Sequence, residues 1–490
     1  MNRKMICRTT GNIVLLEAAL LALPLAVALA AREWSVAIAF SISIGIALLV
    51  GLVLSLTARG ADKLIFAREG FVTVALSWVL LSLIGAVPFA VAGCTDGTPI
   101  SYVDALFETA SGLSTTGASV LVPELLSKGL LFWRSFTHWI GGMGVLVLIM
   151  AIFPADSGRS IHVMRAEMPG PVVGKLVPRI RDTAKILYLI YIAMTALEIA
   201  LLAAGGMPLF DSVLHAFGTA GTGGFGVYSS SIANYSPYIQ WVIAVFMLLF
   251  GVNFNLYYMI LIRRAKEAFR STELWFYLAI VLIASGIIVW NILPTVTSFG
   301  EAVRLSVFQV SSYLTTTGYA TANANAWPEL SRGILFLLMF LGGCAGSTAG
   351  GLKLSRVMIL WQSVRRSIRQ MLHPRSVCTV HHEGKPLDDK TLSGVSAYFA
   401  LYCLILTVLT IALMGLSPAG FDFEMNFSAA VSCFNNIGPA FTHAGDPGAM
   451  FAQYGVPEKL LLTAAMLLGR LEIYPLLIAF SPSTWSRKKS

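Results

Sequence analysis

Four short stretches of the chain share residue types that suit one kind of chemistry. They end Ser-Thr-Thr-Gly117-Ala, Gly-Thr-Gly223-Gly-Phe, Thr-Thr-Thr-Gly318-Tyr and Asn-Asn-Ile-Gly438-Pro. Glycine adopts backbone conformations closed to other residues and lets main chains approach closely. An extended run through such a glycine can turn its carbonyl oxygens to one side, and carbonyls from several segments can replace the hydration shell of a cation. Hydroxyls at Thr115, Thr116, Thr222, Thr316 and Thr317 would add further oxygens. The chemistry expected here is desolvation of an ion, with no bond made or broken.

Each stretch needs an element to aim it. An acidic residue (Asp104, Asp211, Glu301, Asp422) precedes each glycine by 12 to 17 positions. An acid at a helix start can cap free N–H groups and suits the positive end of the macrodipole. The interval holds about three helical turns, roughly half a bilayer. Half-helices that stop mid-membrane point their partly negative C-terminal ends at its centre, which favours a cation there. Irregular backbone at that depth is tolerated only where it is buried in protein or lines a watery path. The four glycines are separated by 106, 95 and 120 residues, with the same order of features each time. Such repetition marks four related units.

The bilayer is the solvent that this composition needs. Of 490 residues, 56% are hydrophobic and 12% charged, about half the charge of an average soluble domain. Ten apolar runs approach the roughly 20 residues needed to cross hydrocarbon: 12–31, 35–57, 71–92, 130–153, 184–204, 238–262, 274–293, 333–362, 393–415 and 459–480. The first is longer than a signal-peptide core and is followed at once by another span, so it is expected to stay as a membrane helix. With both termini cytoplasmic, the inside segments hold 27 basic and 10 acidic residues, the asymmetry that sets orientation. The net charge of +9 is therefore topological and calls for no nucleic-acid partner. The expected division is 1–70 for two N-terminal spans, then units at 71–160, 161–270, 271–380 and 381–490.

With those four motifs and the sequence Gly342-Gly-Cys-Ala-Gly-Ser-Thr-Ala-Gly-Gly351-Leu-Lys353, the chain resembles the Trk/Ktr/HKT superfamily of potassium transporters, and within it the bacterial TrkH type. The likeness covers the whole chain, and the extra N-terminal spans favour TrkH over the shorter Ktr type. It implies an all-α polytopic fold of four M1–P–M2 units, each a span, a pore half-helix and a span, around a pseudo-fourfold pore. It further implies a short filter with potassium bound at Thr116, Gly117, Thr222, Gly223, Thr317, Gly318, Ile437 and Gly438, beside Thr115, Thr316 and Asn436. Relatives with serine at the first glycine tend to pass sodium, so glycine at all four places implies potassium preference. Only the first and third motifs keep Thr-Thr-Gly, which implies coarser selectivity than in symmetric channels.

The run at 333–362 is the odd one among the ten. Five glycines lie between 342 and 351, each costing about 1 kcal/mol in a helix relative to alanine. This stretch is expected to unwind, and the resemblance implies a gate below the filter formed by Gly346, Ser347, Thr348, Ala349 and Gly350. A small-residue helix contact through Gly346 and Gly350 is the alternative. Lys353 either joins the gate or begins the positive-inside segment. Arg470 sits inside an apolar run, where a charge costs a few kcal/mol. The resemblance implies an electrostatic contact to the gate; pairing with Glu472 or Glu198 would instead only fix packing.

Other classes fit less well. No catalytic set stands within the spans, so an enzyme is not expected. His138 and His215 are isolated and read as packing; His381-His382 reads as a solvated pair, and the six cysteines lack metal spacing. Alternating-access transport would call for inverted repeats, whereas these four enter from one side. Glu17, Glu198 and Glu472 leave a potassium–proton or sodium-coupled symporter as the alternative function. No nucleotide-binding motif is present; the resemblance implies a homodimer above a cytosolic nucleotide-binding ring of TrkA type. The basic segment from Arg365 to Arg375 offers a docking surface or a contact for membrane lipids. The transported ion, potassium, is the only non-protein component expected, and the place is the bacterial inner membrane.

Overall fold

The computed structural model describes residues 1–58, 67–144, 180–376, 378–442 and 450–485. The fold is a helical bundle. Two helices, α1 (Arg3–Leu20) and α2 (Ala22–Ala30), form one stretch of span length, followed by α3 (Trp34–Thr57). The first unit has α4 (Ala67–Ala92), α5 (Tyr102–Leu113) and α6 (Lys128–Met143). The second has α7 (Ile180–Ala204), α8 (Leu209–Ala220), α9 (Pro237–Phe250) and α10 (Phe254–Leu261). The third has α11 (Thr272–Ile292), α12 (Phe299–Leu314), α13 (Glu329–Leu338) and α14 (Leu354–Leu372). A small antiparallel hairpin, β1 (His381–His382) and β2 (Lys385–Pro386), leads to the fourth. That unit has α15 (Asp389–Leu416), α16 (Phe423–Asn435), α17 (Val456–Arg470) and α18 (Tyr474–Phe480).

Among the described residues six helices are long and apolar enough to cross a membrane, or eight spans if each sharply bent pair counts as one. The bent pairs are α9–α10, at 90°, and α17–α18, at 118°. The two remaining apolar runs differ from the ten expected spans. The run at 130–153 is helical up to Met143, and its remainder lies outside the described residues, as do most of the inside segment 154–185, the unit boundary at 160, and the basic end at 486–490. The run at 333–362 is split into α13 and α14 by an irregular stretch. Among the described residues the second spans of the second, third and fourth units are interrupted, where only the third break was expected. Gly144 (φ +81°) ends α6, Gly251 to Asn253 part α9 from α10, and Glu472 and Ile473 (φ +54° and +67°) part α17 from α18.

The breaks seat the ends of the pore half-helices α5, α8, α12 and α16. A Cβ on Gly141 would collide with the Leu113 carbonyl, and one on Gly469 with the Phe434 carbonyl. Bare main chain is needed where one backbone lies on another.

Each half-helix spans 12 to 16 residues and starts with a definite cap in three of four cases. Ser101, Ser298 and Asp422 accept from the N–H groups of Asp104 (3.1 Å), Glu301 (3.2 Å) and Met425 (2.9 Å). Only Asp422 among the four expected acids is itself a cap. Asp104, Asp211 and Glu301 lie in the first turn, where they still face the positive dipole end. Units are joined cyclically: α6 packs on α8, α9 on α12, and α17 on α5, while Phe336 of α13 stacks near Phe427 of α16 at 5.5 Å. Two of these joints carry an ion pair onto a half-helix start, Lys459–Asp104 (2.6 Å) and Arg332–Glu424. The N-terminal pair lies outside this circle, with α1 on α3 and α4 and α2 on α6.

Candidate ion pathway

After each half-helix the chain makes the same turn. Thr115, Thr222, Thr316 and Asn436 all adopt left-handed backbone, with φ between +55° and +57°. Two residues further on, Gly117, Gly224, Gly318 and Gly438 have φ of +80°, +74°, +86° and +103°. The matching glycine of the second motif is thus Gly224, one residue beyond the one singled out from sequence. Gly223 stands in the row of Thr116, Thr317 and Ile437, and Thr222 in the row of Thr115, Thr316 and Asn436.

These segments meet in a closed circle. A Cβ on Gly117 would strike the Gly223 carbonyl oxygen, one on Gly224 the Thr317 oxygen, and one on Gly318 the Ile437 oxygen. On Gly438 it would meet the Thr116 oxygen at 2.7 Å and the Gly117 oxygen at 3.2 Å. First touches second, second third, third fourth, and fourth first. Positive φ and backbone crowding together oppose a side chain at these four places, where one could enter only by displacing its neighbour. On one side the circle opens into a cavity of about 580 Å³, lined by Gly117, Gly224, Gly318 and Gly438 with Tyr228 and Asn325 at its wall.

Four of the five expected threonine hydroxyls are engaged with protein; that of Thr115 is buried without a hydrogen-bond partner. Thr116 Oγ1 lies 2.7 Å from Ser114 Oγ, and Thr317 Oγ1 lies 2.8 Å from Thr315 Oγ1. Asn436 Nδ2 donates to Thr116 Oγ1 (2.9 Å) and to the Met466 carbonyl (2.9 Å), tying the fourth segment to the first. Thr222 donates to the Thr348 carbonyl (3.0 Å), and Thr316 accepts from the Gly350 N–H (2.7 Å). The hydroxyls hold the backbone in place more than they offer free oxygens.

A rigid shell stands behind the circle. His138 is buried, with Nδ1 2.8 Å from the Gly112 carbonyl and Nε2 accepting from the Phe225 N–H (3.3 Å). A Cβ on Gly223 would enter its ring. Glu108 and Arg134 form a buried pair (2.5 Å), and both hold the chain beyond the circle. The Glu108 carboxylate accepts from Ser119 Oγ (2.8 Å) and the Val120 N–H (3.1 Å), and Arg134 donates to the Gly226 carbonyl (2.9 Å). Tyr319 donates to the His215 carbonyl (3.1 Å). Neither Glu108 nor Arg134 stood out in the sequence. The signal was their placement inside apolar segments, where an unpaired charge would be costly.

On the other side of the circle lies the interrupted stretch between α13 and α14. It is non-helical, as its glycines demand, with positive φ at Gly342, Gly346, Gly351 and Lys353. Gly346 and Gly350 belong to the loop rather than to a helix–helix seam; Ser347 donates back to Cys344 (2.6 Å), and the Ala349 carbonyl accepts from Lys353 Nζ. Lys353 is buried against this loop, although it opens the segment counted as inside. Arg470 donates to the Thr348 carbonyl (2.9 Å) and to the carbonyls of Gly141 (2.6 Å) and Gly142 (2.8 Å), so it ties α17 to the end of α6 and to the loop of the third unit. Glu472, one of its two expected partners, pairs instead with Arg356 (2.7 Å). Glu273 accepts from the Ala345 N–H (2.8 Å).

Half-helix ends, carbonyl-bearing segments in a closed circle and a glycine-rich loop beside it define a membrane-embedded cation pathway built of four pore units. A family profile described as "TrkH: Cation transport protein" matches residues 37–489. The Trk system potassium uptake protein TrkH of Salmonella typhimurium is 35% identical over 495 residues, covering 99% of this chain and all of that one. TrkG of Escherichia coli K12 is 35% identical over 472 residues, covering 94% of each. The crystal structure of the potassium transporter TrkH from Vibrio parahaemolyticus matches with a TM-score of 0.88 and 31% identity, over 99% of this chain and all of that one. The chain belongs to the TrkH family of cation transport proteins. It is a multi-pass inner-membrane transporter and not an enzyme.

Proposed function

We propose that this chain carries potassium across the inner membrane through the circle of main-chain segments, with Gly117, Gly224, Gly318 and Gly438 at its mouth. Potassium translocation is the function of the family to which the chain belongs. The ion sheds water against the carbonyls of Thr116, Gly223, Thr317 and Ile437 and of the four glycines, with the half-helix ends supplying a favourable field. The observation that carries this reading is the cyclic crowding of each glycine against the next segment's carbonyl. Uptake of rubidium into proteoliposomes tests it. Gly117→Ser should raise sodium flux relative to rubidium, because the added side chain displaces the Gly223 carbonyl; an unchanged ratio would count against the assignment.

The loop at 342–351 acts as the gate, with Arg470 and Lys353 as its electrostatic latch. Its support is position: it hangs from filter residues Thr222 and Thr316 above and from charged side chains at its flanks. The four units follow the division expected from sequence, except that α4, which opens the first, begins at Ala67 rather than 71. Both termini face the cytoplasm, so the vestibule opens outward. Two copies pair in the membrane, and a cytosolic nucleotide-binding ring of TrkA type docks below, near the basic face of α14. Cysteine accessibility at Ser490 in right-side-out vesicles checks the orientation; labelling from outside would reverse it.

A further inference from the structure

One cluster of metal-ligating side chains lies away from the ion path. Glu273, in the first turn of α11, and His382 and Glu383, in the β1–β2 hairpin, each bring a ligand atom to within 4.8 Å of the others. Sequence offered only the adjacent pair His381-His382, which reads as solvated. The fold separates the two: His381 is exposed, while His382 is half-buried and turned toward the buried Glu273.

The hairpin is built to hold this arrangement. Glu383 and Gly384 form its two-residue turn with φ of +48° and +74°. Glutamate in a left-handed turn position is unfavourable, and asparagine, aspartate or glycine would fit the turn better. Its carboxylate accepts from Ser271 Oγ (3.1 Å), Thr272 Oγ1 (3.3 Å) and the Glu273 N–H (3.1 Å), so it caps α11 from another part of the chain. The His381 N–H donates to Gln362 Oε1 (3.1 Å), which fixes the hairpin to α14.

Glu273 is buried, His382 half-buried and Glu383 exposed; two carboxylates drawn this close repel, and a divalent cation removes that repulsion. One imidazole with two carboxylates is a donor set for zinc or a similar ion, leaving a position for water.

We propose that Glu273, His382 and Glu383 form a site for a divalent metal ion of zinc-like chemistry, which clamps the hairpin to the base of α11 and braces the Glu273–Ala345 contact. Its effect on transport rests on the loop at 342–351 being the gate; the binding itself does not.

Zinc titration of the purified full-length protein by calorimetry, after treatment with chelator, tests the site. One ion per chain is expected. His382→Ala should weaken binding by roughly tenfold or more, and so should Glu383→Gln, which keeps a cap acceptor on α11. His381→Ala should change little. No stoichiometric binding, or binding that both site variants leave intact, would overturn the site. Zinc should also slow rubidium flux in the parent protein and leave His382→Ala unaffected. Binding without any change in flux would keep the site and overturn its link to the loop.

Discussion

The glycine circle and the loop beneath it are both rich in glycine, yet charged side chains hold only one of them. In the circle each glycine meets the main chain of the next segment, and no charged side chain completes the contact. The loop has main-chain ties too, such as the Cys344 N–H on the Gly251 carbonyl (2.9 Å), but it adds side-chain tethers, three of them charged: Arg470 and Thr222 on Thr348, Glu273 on Ala345, Lys353 on Ala349. Backbone packed on backbone has nowhere to move, whereas a side-chain hydrogen bond can be exchanged for another. The first arrangement suits a part that must keep its dimensions during ion passage. The second suits a part that must let go.

Variants can break or sharpen this contrast. The largest effect is expected from Gly224→Ala, where positive φ and the Thr317 carbonyl both oppose a methyl. Strain of about 3 kcal/mol should cut rubidium flux by roughly 100-fold; near-normal flux would break the assignment of Gly224 to the ring. Deleting 345–349 should leave a constitutively leaky pore, whereas a silent but properly inserted protein would make the stretch mere packing. Thr222→Val keeps shape and removes one tether worth about 1 kcal/mol, so flux should rise by only about fivefold. Smallest is Ser298→Ala, which removes a cap far from both regions. It should lower stability by about 1 kcal/mol, seen as a slightly lower unfolding temperature, with ion preference unchanged.

The half-helices were legible because an acid near the start and a glycine past the end are local signals. The register of the second motif was not. Gly223-Gly224 offers two candidates, and only the left-handed turn at Thr222, aligned with Thr115, Thr316 and Asn436, decides between them. The break at 342–351 was legible from its five glycines. Those in the other second spans rest on one or a few glycines each, such as Gly251 and Gly469, whose need arises from a half-helix end packed against them. Arg470 was visible as a misplaced charge, but its partners are backbone carbonyls, which carry no mark in a sequence. His138 read as packing, and it packs against the glycine circle at Gly223.

The circle closes only where Gly438 reaches Thr116 and Gly117, with Lys459 joined to Asp104 at the same seam. A ribosome delivers those partners more than 300 residues apart. Until the final quarter of the polypeptide has entered the bilayer, the earlier segments border a gap where the last wall should stand. Membrane leakage during biogenesis is thus restrained by the order of synthesis, since the aperture takes shape last.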